Sequence, residues 1–293
     1  MESPSAVALG DSRLSGLRRI ARFRLSPLNG TVRMSSESDG ADDAQDVLYR
    51  LVDQETGEVL LAAEDLRGYF TEEDPEPPET VTVTFVRAHQ VDRGRRKTEH
   101  AELQVVDRQG REIGTYVIGR ASAAFRHEPG ASGADRPDLD YSFGYACAYP
   151  RAGEIWRKWA TGRPVERGEW ARCPSDWHES WLHVVQTAWF AAGRRATRYG
   201  TDATAVVDGT GITTRDGFYC ALGEAVNGPG GYFGSNLDAV HDCLRTMRGD
   251  GAAPFRLLWR NFAASRESLG GDFTDVLLTV LEEGGVETEL SSE

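Results

Sequence analysis

From Ala203 to Leu290 three short β-prone runs are separated by helical stripes, and this alternation constrains the fold more than any other feature of the chain. Ala203–Asp208, Phe255–Trp259 and Val286–Leu290 are the strand candidates. Between the first two, Phe218, Ala221, Leu222 and Ala225 space out as one apolar face, with Thr213 or Thr214 available as its cap. Between the last two, Phe273, Val276, Leu277 and Val280 do the same over Asp272–Glu283. Strands joined through helices pair in parallel with right-handed crossovers. The expectation for 203–293 is therefore an α/β unit: a three-stranded parallel sheet covered by helices.

Inside that unit, Gly231-Tyr232-Phe233-Gly234-Ser235-Asn236 reads as an aromatic-glycine loop running into a helix. Asn236, or Ser235 before it, is a good N-cap, because its side-chain oxygen can accept from a free first-turn N–H. Leu237, Val240 and Leu244 form a buried stripe. Asp238, His241, Asp242 and Arg245 fall on the opposite face. Asp238 and Asp242 are four apart, a like-charge pairing that costs an isolated helix about 0.2–0.5 kcal/mol. The positive helix N-terminus offsets part of this for Asp238 and does little for Asp242. From spacing alone the two acids make a solvated acidic face.

The run Tyr-Phe-Gly-x-Asn-Leu-Asp-Ala-x-x-Asp-Cys-Leu, Tyr232 to Leu244, resembles the signature of the barstar family, small intracellular inhibitors of barnase-type ribonucleases. The resemblance extends through Leu258-Trp259-Arg260-Asn261-Phe262, the helix around Val276–Glu283 and the last strand, and covers about residues 203–293. It implies the fold already expected for this segment, and it implies roles. Asp242 would be the central carboxylate entering the nuclease cleft, with Asp238 flanking it. Tyr232 would pack its ring on the rim of that cleft, and Gly234 would let the loop approach the partner. Glu282 aligns with an acidic contact on a later helix. Asn236 is the cap; Leu237, Cys243, Leu244 and Trp259 look like core. Where the family pattern has an aromatic residue, commonly tryptophan, this sequence has His241, a smaller ring that can carry charge and points to an altered partner.

Upstream, the resemblance stops. Residues 1–45 are Arg-rich and then acidic and small, and read as unstructured; Met34 at the junction is a candidate start. From 46 to 200 the pattern is that of an antiparallel-sheet α+β unit. Val47–Val52 and Val59–Leu61 flank a Gln54–Gly57 turn, Thr80–Val86 alternates with period two, and Ala101–Val106 and Ile113–Ile118 bracket an Asp107–Gly110 hairpin. Four or five strands are expected. Glu72–Pro78 and Glu128–Asp140 read as loops, and Gly94–Lys97 as a basic turn. Arg151–Ala160 reads as a helix. A second starts at Asp176 with Glu179 as capping box, buries Trp181, Val184, Val185, Ala188 and Ala192, and ends in Arg194, Arg195 and Arg198. It should pack on the sheet. The tryptophans of 156–189 are expected to be core rather than a ligand cage.

Composition narrows the function classes. The net charge is −13, which disfavours nucleic acid or anionic membrane as a direct partner and favours a cationic one. Residues 203–293 alone carry 6 Arg, no Lys and 14 Asp plus Glu. No CxxC pair occurs among the 4 cysteines, so free thiols and a cytoplasmic location are expected. No apolar run spans a bilayer and no secretory h-region is present. No cofactor is expected: Gly209-Thr210-Gly211 lacks the third glycine of a dinucleotide fingerprint, Thr214 standing in its place. No metal is expected either, because Cys173, His178 and His183 are poorly spaced and the histidines read as surface residues.

The expected function is non-enzymatic: inhibition of a barnase-like or other basic secreted or toxin ribonuclease by helix-borne carboxylates, as in a toxin immunity protein. The alternative is an interaction module retuned to a non-nuclease partner, with the main function in 46–200. A hydrolase using the paired carboxylates Asp238 and Asp242, or Glu282 and Glu283, is the third reading; no nucleophile, metal motif or oxyanion loop accompanies them.

Overall fold

The turn after Asp53 shows how the first sheet is assembled. Asp53 is buried, and its Oδ1 accepts from the Glu55 and Thr56 N–H groups at 3.1 and 3.0 Å, while Gly57 takes φ +72°. This closes β1 (Tyr49–Asp53) onto β2 (Val59–Ala63). In the computed structural model, residues 47–88, 90–91, 96–124 and 137–292 are described. All lie within a compact unit spanning Ser38–Glu293. The readings of 1–45 and Met34, of Gly94 and Arg95, and of most of Glu128–Asp140 fall outside the described residues.

Six further strands complete the sheet: β3 (Asp65–Arg67), β4 (Val81–Val86), β5 (Gln90–Val91), β6 (Lys97–Val106), β7 (Glu112–Ala123) and β8 (Leu139–Phe143). The order is β3-β4-β8-β7-β6-β1-β2-β5, with every neighbour antiparallel. Eight strands replace the four or five expected. β3 and β5 are too short to show a period. β8 begins within the stretch read as a loop; its Tyr141 and Phe143 are buried, and Asp140 accepts from Thr84 Oγ1 at 2.6 Å.

Helices α1 (Ala152–Thr161) and α2 (His178–Ala191) follow, with α2 lying against β7. Trp156 sits so close to the sheet that a Cβ on Gly114 would come within 2.5 Å of its ring. Its Nε1–H donates to Tyr116 Oη at 2.7 Å. Trp156, Trp159 and Trp181 continue edge to face at 6.1 and 6.0 Å, so these rings are packing elements.

The start of α2 differs from expectation. Ser175–Trp177 forms a 3-10 turn, Trp177 holds the N-cap position, and no side chain caps the helix. The Trp177 N–H donates to the Pro174 carbonyl at 2.9 Å, so this tight turn takes in Asp176 and the α-helix begins two residues later, at His178. Ala192 lies past the last helical residue and is exposed.

His178 and His183 are not surface residues. His178 is buried beside Trp170, its Nδ1 2.8 Å from Thr214 Oγ1. His183 stacks on Tyr149 at 3.8 Å, with Nε2 at 3.2 Å from Tyr116 Oη and 3.5 Å from Cys147 Sγ. Burial lowers the His183 pKa from 6.5 to about 3. The folded chain thus binds this proton less readily than the unfolded chain, so the stability it supports is complete above pH 6.5 and is lost as the pH falls toward 3. The expected slope in that window is up to about 1.4 kcal/mol per pH unit from this residue. Denaturant melts at pH 4 to 7 on the wild-type chain and on His183→Phe check it: the variant should depend less steeply on pH.

The C-terminal layer alternates as expected. β9 (Thr204–Asp208), α3 (Arg215–Asn227), α4 (Leu237–Gly249), β10 (Arg256–Arg260), α6 (Gly271–Glu283) and β11 (Glu287–Leu290) build a parallel sheet ordered β11-β10-β9. Thr214 caps α3, accepting from the Gly217 N–H at 3.0 Å. An unexpected helix, α5 (Phe262–Leu269), fits between Asn261 at φ +49° and Gly270 at φ +88°. Val276 was expected inside and is 50% exposed: the buried stripe of α6 runs Phe273, Thr274, Leu277, Leu281 and leaves it at the edge. Gly209-Thr210-Gly211 is a closed turn, held by Asp208 accepting from the Thr210 N–H at 2.9 Å. All four cysteines are free. Among the described residues no helix is long and apolar enough to cross a membrane. The buried residues of both layers join in a continuous core, with α2 packed on α3.

Candidate functional site

The acidic face is built from the loop Gly228–Ser235 and α4. The Asn236 side chain accepts from the Ala239 N–H at 2.8 Å, which fixes the first turn. Val240, Cys243, Leu244 and Met247 are buried and anchor the helix in the core. That anchoring leaves Asp238, His241, Asp242 and Arg245 exposed on the other side. Arg245 Nη2 reaches Asp242 Oδ1 at 3.0 Å, both side chains being more than half exposed. An exposed i,i+3 pair of this kind is worth no more than about 1 kcal/mol and opens easily.

Asp238 lies at the N-terminal end of the face, close enough to Tyr219 that, with burial as the larger cause, it helps to raise that phenol's pKa. Asp242 does the same for Cys243, whose thiol burial pushes up to about 12; this cysteine is a packing residue, far from thiolate chemistry at neutral pH. Glu282 is exposed near the end of α6, which runs beside α4. There Arg248 Nη1 donates to the Glu283 carbonyl at 3.1 Å, and Gly284 fits beneath Leu244. Glu282 therefore sits on the helix that borders the second half of α4.

Two of the residues singled out from the resemblance are placed inside. Tyr232 is 3% exposed, its ring packed edge-on against Phe190 of α2 at 5.5 Å. Gly234 is buried at φ +102°, and a Cβ there would stand 2.6 Å from the Val240 nitrogen. The glycine is demanded by the loop's closure on its own helix. Phe233, fully buried against Phe255, pins the loop from the other side.

The arrangement offers carboxylates, which only accept hydrogen bonds, on a rigid convex helix; it suits a partner rich in guanidinium or ammonium groups. Among the described residues no group of three His, Cys, Asp or Glu is poised to hold a metal. Sequence reasoning missed the residues that hold the loop. Phe190, Glu224 and Asn227 stand as an ordinary aromatic, acid and amide, and nothing in their spacing marks them. The Asp242–Arg245 pair, three apart on one helix face, is a contact that such spacing allows.

With this geometry in view, residues 203–290 match the family model described as Barstar (barnase inhibitor). The match covers less than a third of the chain, and contains the whole acidic face. The matched family consists of barnase-type ribonuclease inhibitors. No curated protein matches the chain.

Proposed function

We propose that this chain is a barstar-like inhibitor of a cationic ribonuclease, and that α4 is the element it inserts toward the active site. The observation that carries this reading is the joint exposure of Asp238, His241 and Asp242 on one side of a capped, firmly anchored helix. Two carboxylates one turn apart can replace the phosphates that such a nuclease binds with arginine, lysine and histidine. Charge-assisted hydrogen bonds to those groups, shielded from water at the interface, supply the affinity. The net charge of −13 steers a basic partner toward the face and makes association fall with salt. The chain binds protein rather than RNA, and acts in the cytoplasm as protection against a toxin nuclease.

Two features favour a partner that differs from the family's usual one. His241 presents a smaller, titratable ring in the place of an aromatic, and Tyr232 has its ring against Phe190. The nuclease addressed by this face is expected to need less aromatic contact and more charge pairing, with Glu282 at its margin.

The test is a titration of purified chain into barnase-type ribonucleases, with RNA cleavage as readout. Stoichiometric inhibition that weakens as salt rises is the expected result. Cleavage that stays unchanged with every such nuclease rules the reading out. In that case a non-nuclease partner, with the main activity in the N-terminal layer, becomes the better account.

A further inference from the structure

The loop that introduces α4 is held from two sides. At the end of α3, Asn227 makes four hydrogen bonds. Its Oδ1 accepts from the Tyr199 and Gly200 N–H groups at 2.7 and 3.3 Å; its Nδ2 donates to the Thr197 carbonyl at 3.1 Å and to the Tyr232 carbonyl at 2.7 Å. Three of these partners belong to the segment after α2, and the fourth to the loop. One turn earlier, Glu224 repeats the pattern. It is 4% exposed, and its two oxygens accept from the Gly168 N–H at 2.7 Å and the Gly230 N–H at 3.2 Å. Phe190 covers Tyr232, and a Cβ on Gly230 would lie 3.4 Å from both Trp159 and Pro164. The loop is thus seated on the N-terminal layer by hydrogen bonds and by apolar contact.

We infer that the N-terminal layer is a brace for the recognition loop: through Glu224, Asn227 and Phe190 it fixes Gly228–Ser235, and so the pose of α4, before any partner arrives. This gives residues outside the matched segment a part in recognition without touching the nuclease, and it rests on the inhibitory reading of α4. The physical ground is preorganisation. A loop ordered in advance loses less freedom on binding, and the saving appears mainly as slower dissociation. Glu224, Asn227 and Phe190 are positioning residues. Each has a partner on the N-terminal layer or belongs to it, and none lies on the exposed face of α4.

The experiment uses the full chain with two variants. Asn227→Asp keeps the acceptor toward Tyr199 and Gly200 and removes the donors to Thr197 and Tyr232. Phe190→Ala removes the apolar cover. Amide hydrogen exchange is followed in the free protein, and association and dissociation rates are measured with a barnase-type ribonuclease. The expected result is exchange at the hydrogen-bonded loop amides of Gly230 and Gly231 at least about tenfold faster, with β9 and β10 unchanged, and dissociation about tenfold faster at an unchanged association rate. Wild-type exchange at the loop in both variants overturns the brace. So does faster loop exchange with wild-type dissociation, or loss of cooperative melting in both, which would make these contacts part of folding rather than of loop placement. Looser loops in a chain whose wild type binds no nuclease would leave the brace standing as a structural device and remove its partner, so the two readings fail separately.

Discussion

Asp242→Ala is expected to weaken inhibition of a barnase-type ribonuclease by at least about 30-fold, some 2 kcal/mol, with the melting temperature unchanged. The size follows from where the carboxylate sits. It projects from the middle of the exposed face of α4 and can be enclosed by a partner on all sides, so in the complex it would be desolvated and paired. Removing one member of such a pair leaves the partner's cation buried without a counter-charge, which is the larger part of the cost. Among the described residues the bond lost from the free chain is the exposed contact with Arg245, which is why stability should hold. Asp238→Ala should cost less, because that carboxylate stands at the end of the helix and nearer the solvent-facing rim. Arg245→Ala supplies the control. It removes a like charge from the path of a basic partner and frees Asp242, so inhibition should be retained or strengthened. Equal, small effects for all three substitutions would show that the face is not the contact.

Gly234→Ala is expected to destabilise the fold by about 2–4 kcal/mol, measured by denaturant unfolding. Two causes act together. The backbone there has φ +102°, a conformation that L-residues avoid. The added methyl would also meet the Val240 nitrogen at 2.6 Å and its Cγ2 at the same distance, in the first turn of α4. Backbone cannot yield as the end of a long side chain can, so either the loop or the helix must move. Inhibition should fall as well, and by more than the lost stability accounts for at temperatures where the variant is still folded, because the displaced element is α4 itself. A variant that melts like the wild type would contradict the loop geometry.

The C-terminal layer was legible because its information is local. Alternating runs and stripes fixed β9, β10, β11, α3 and α6, and Asn236 and Thr214 stand as caps where their side chains can reach the free N–H groups. Its differences are also local: α5 spans only eight residues, and apolar spacing alone does not say that Val276 lies at the edge of the buried face of α6. The N-terminal layer was half legible. The long hairpin β6–β7 shows its turn and its period; β3, β5 and β8 depend on neighbours far away in sequence, which no window contains. For the site, exposure of Asp238, His241 and Asp242 followed from helical geometry. The burial of Tyr232 did not, since Phe190 reaches it from 42 residues upstream.

The seat of the loop on Trp159 has an optical consequence. Gly230 lies beside the Trp159 indole, which is itself edge to face with Trp156 and Trp181, so the emission of Trp159 is placed to sense this part of the loop. Lifting the loop would admit water to that indole and shift its luminescence to longer wavelength. The chain therefore carries an intrinsic, label-free indicator of whether its α4 entrance is closed, readable in the same cuvette as nuclease turnover.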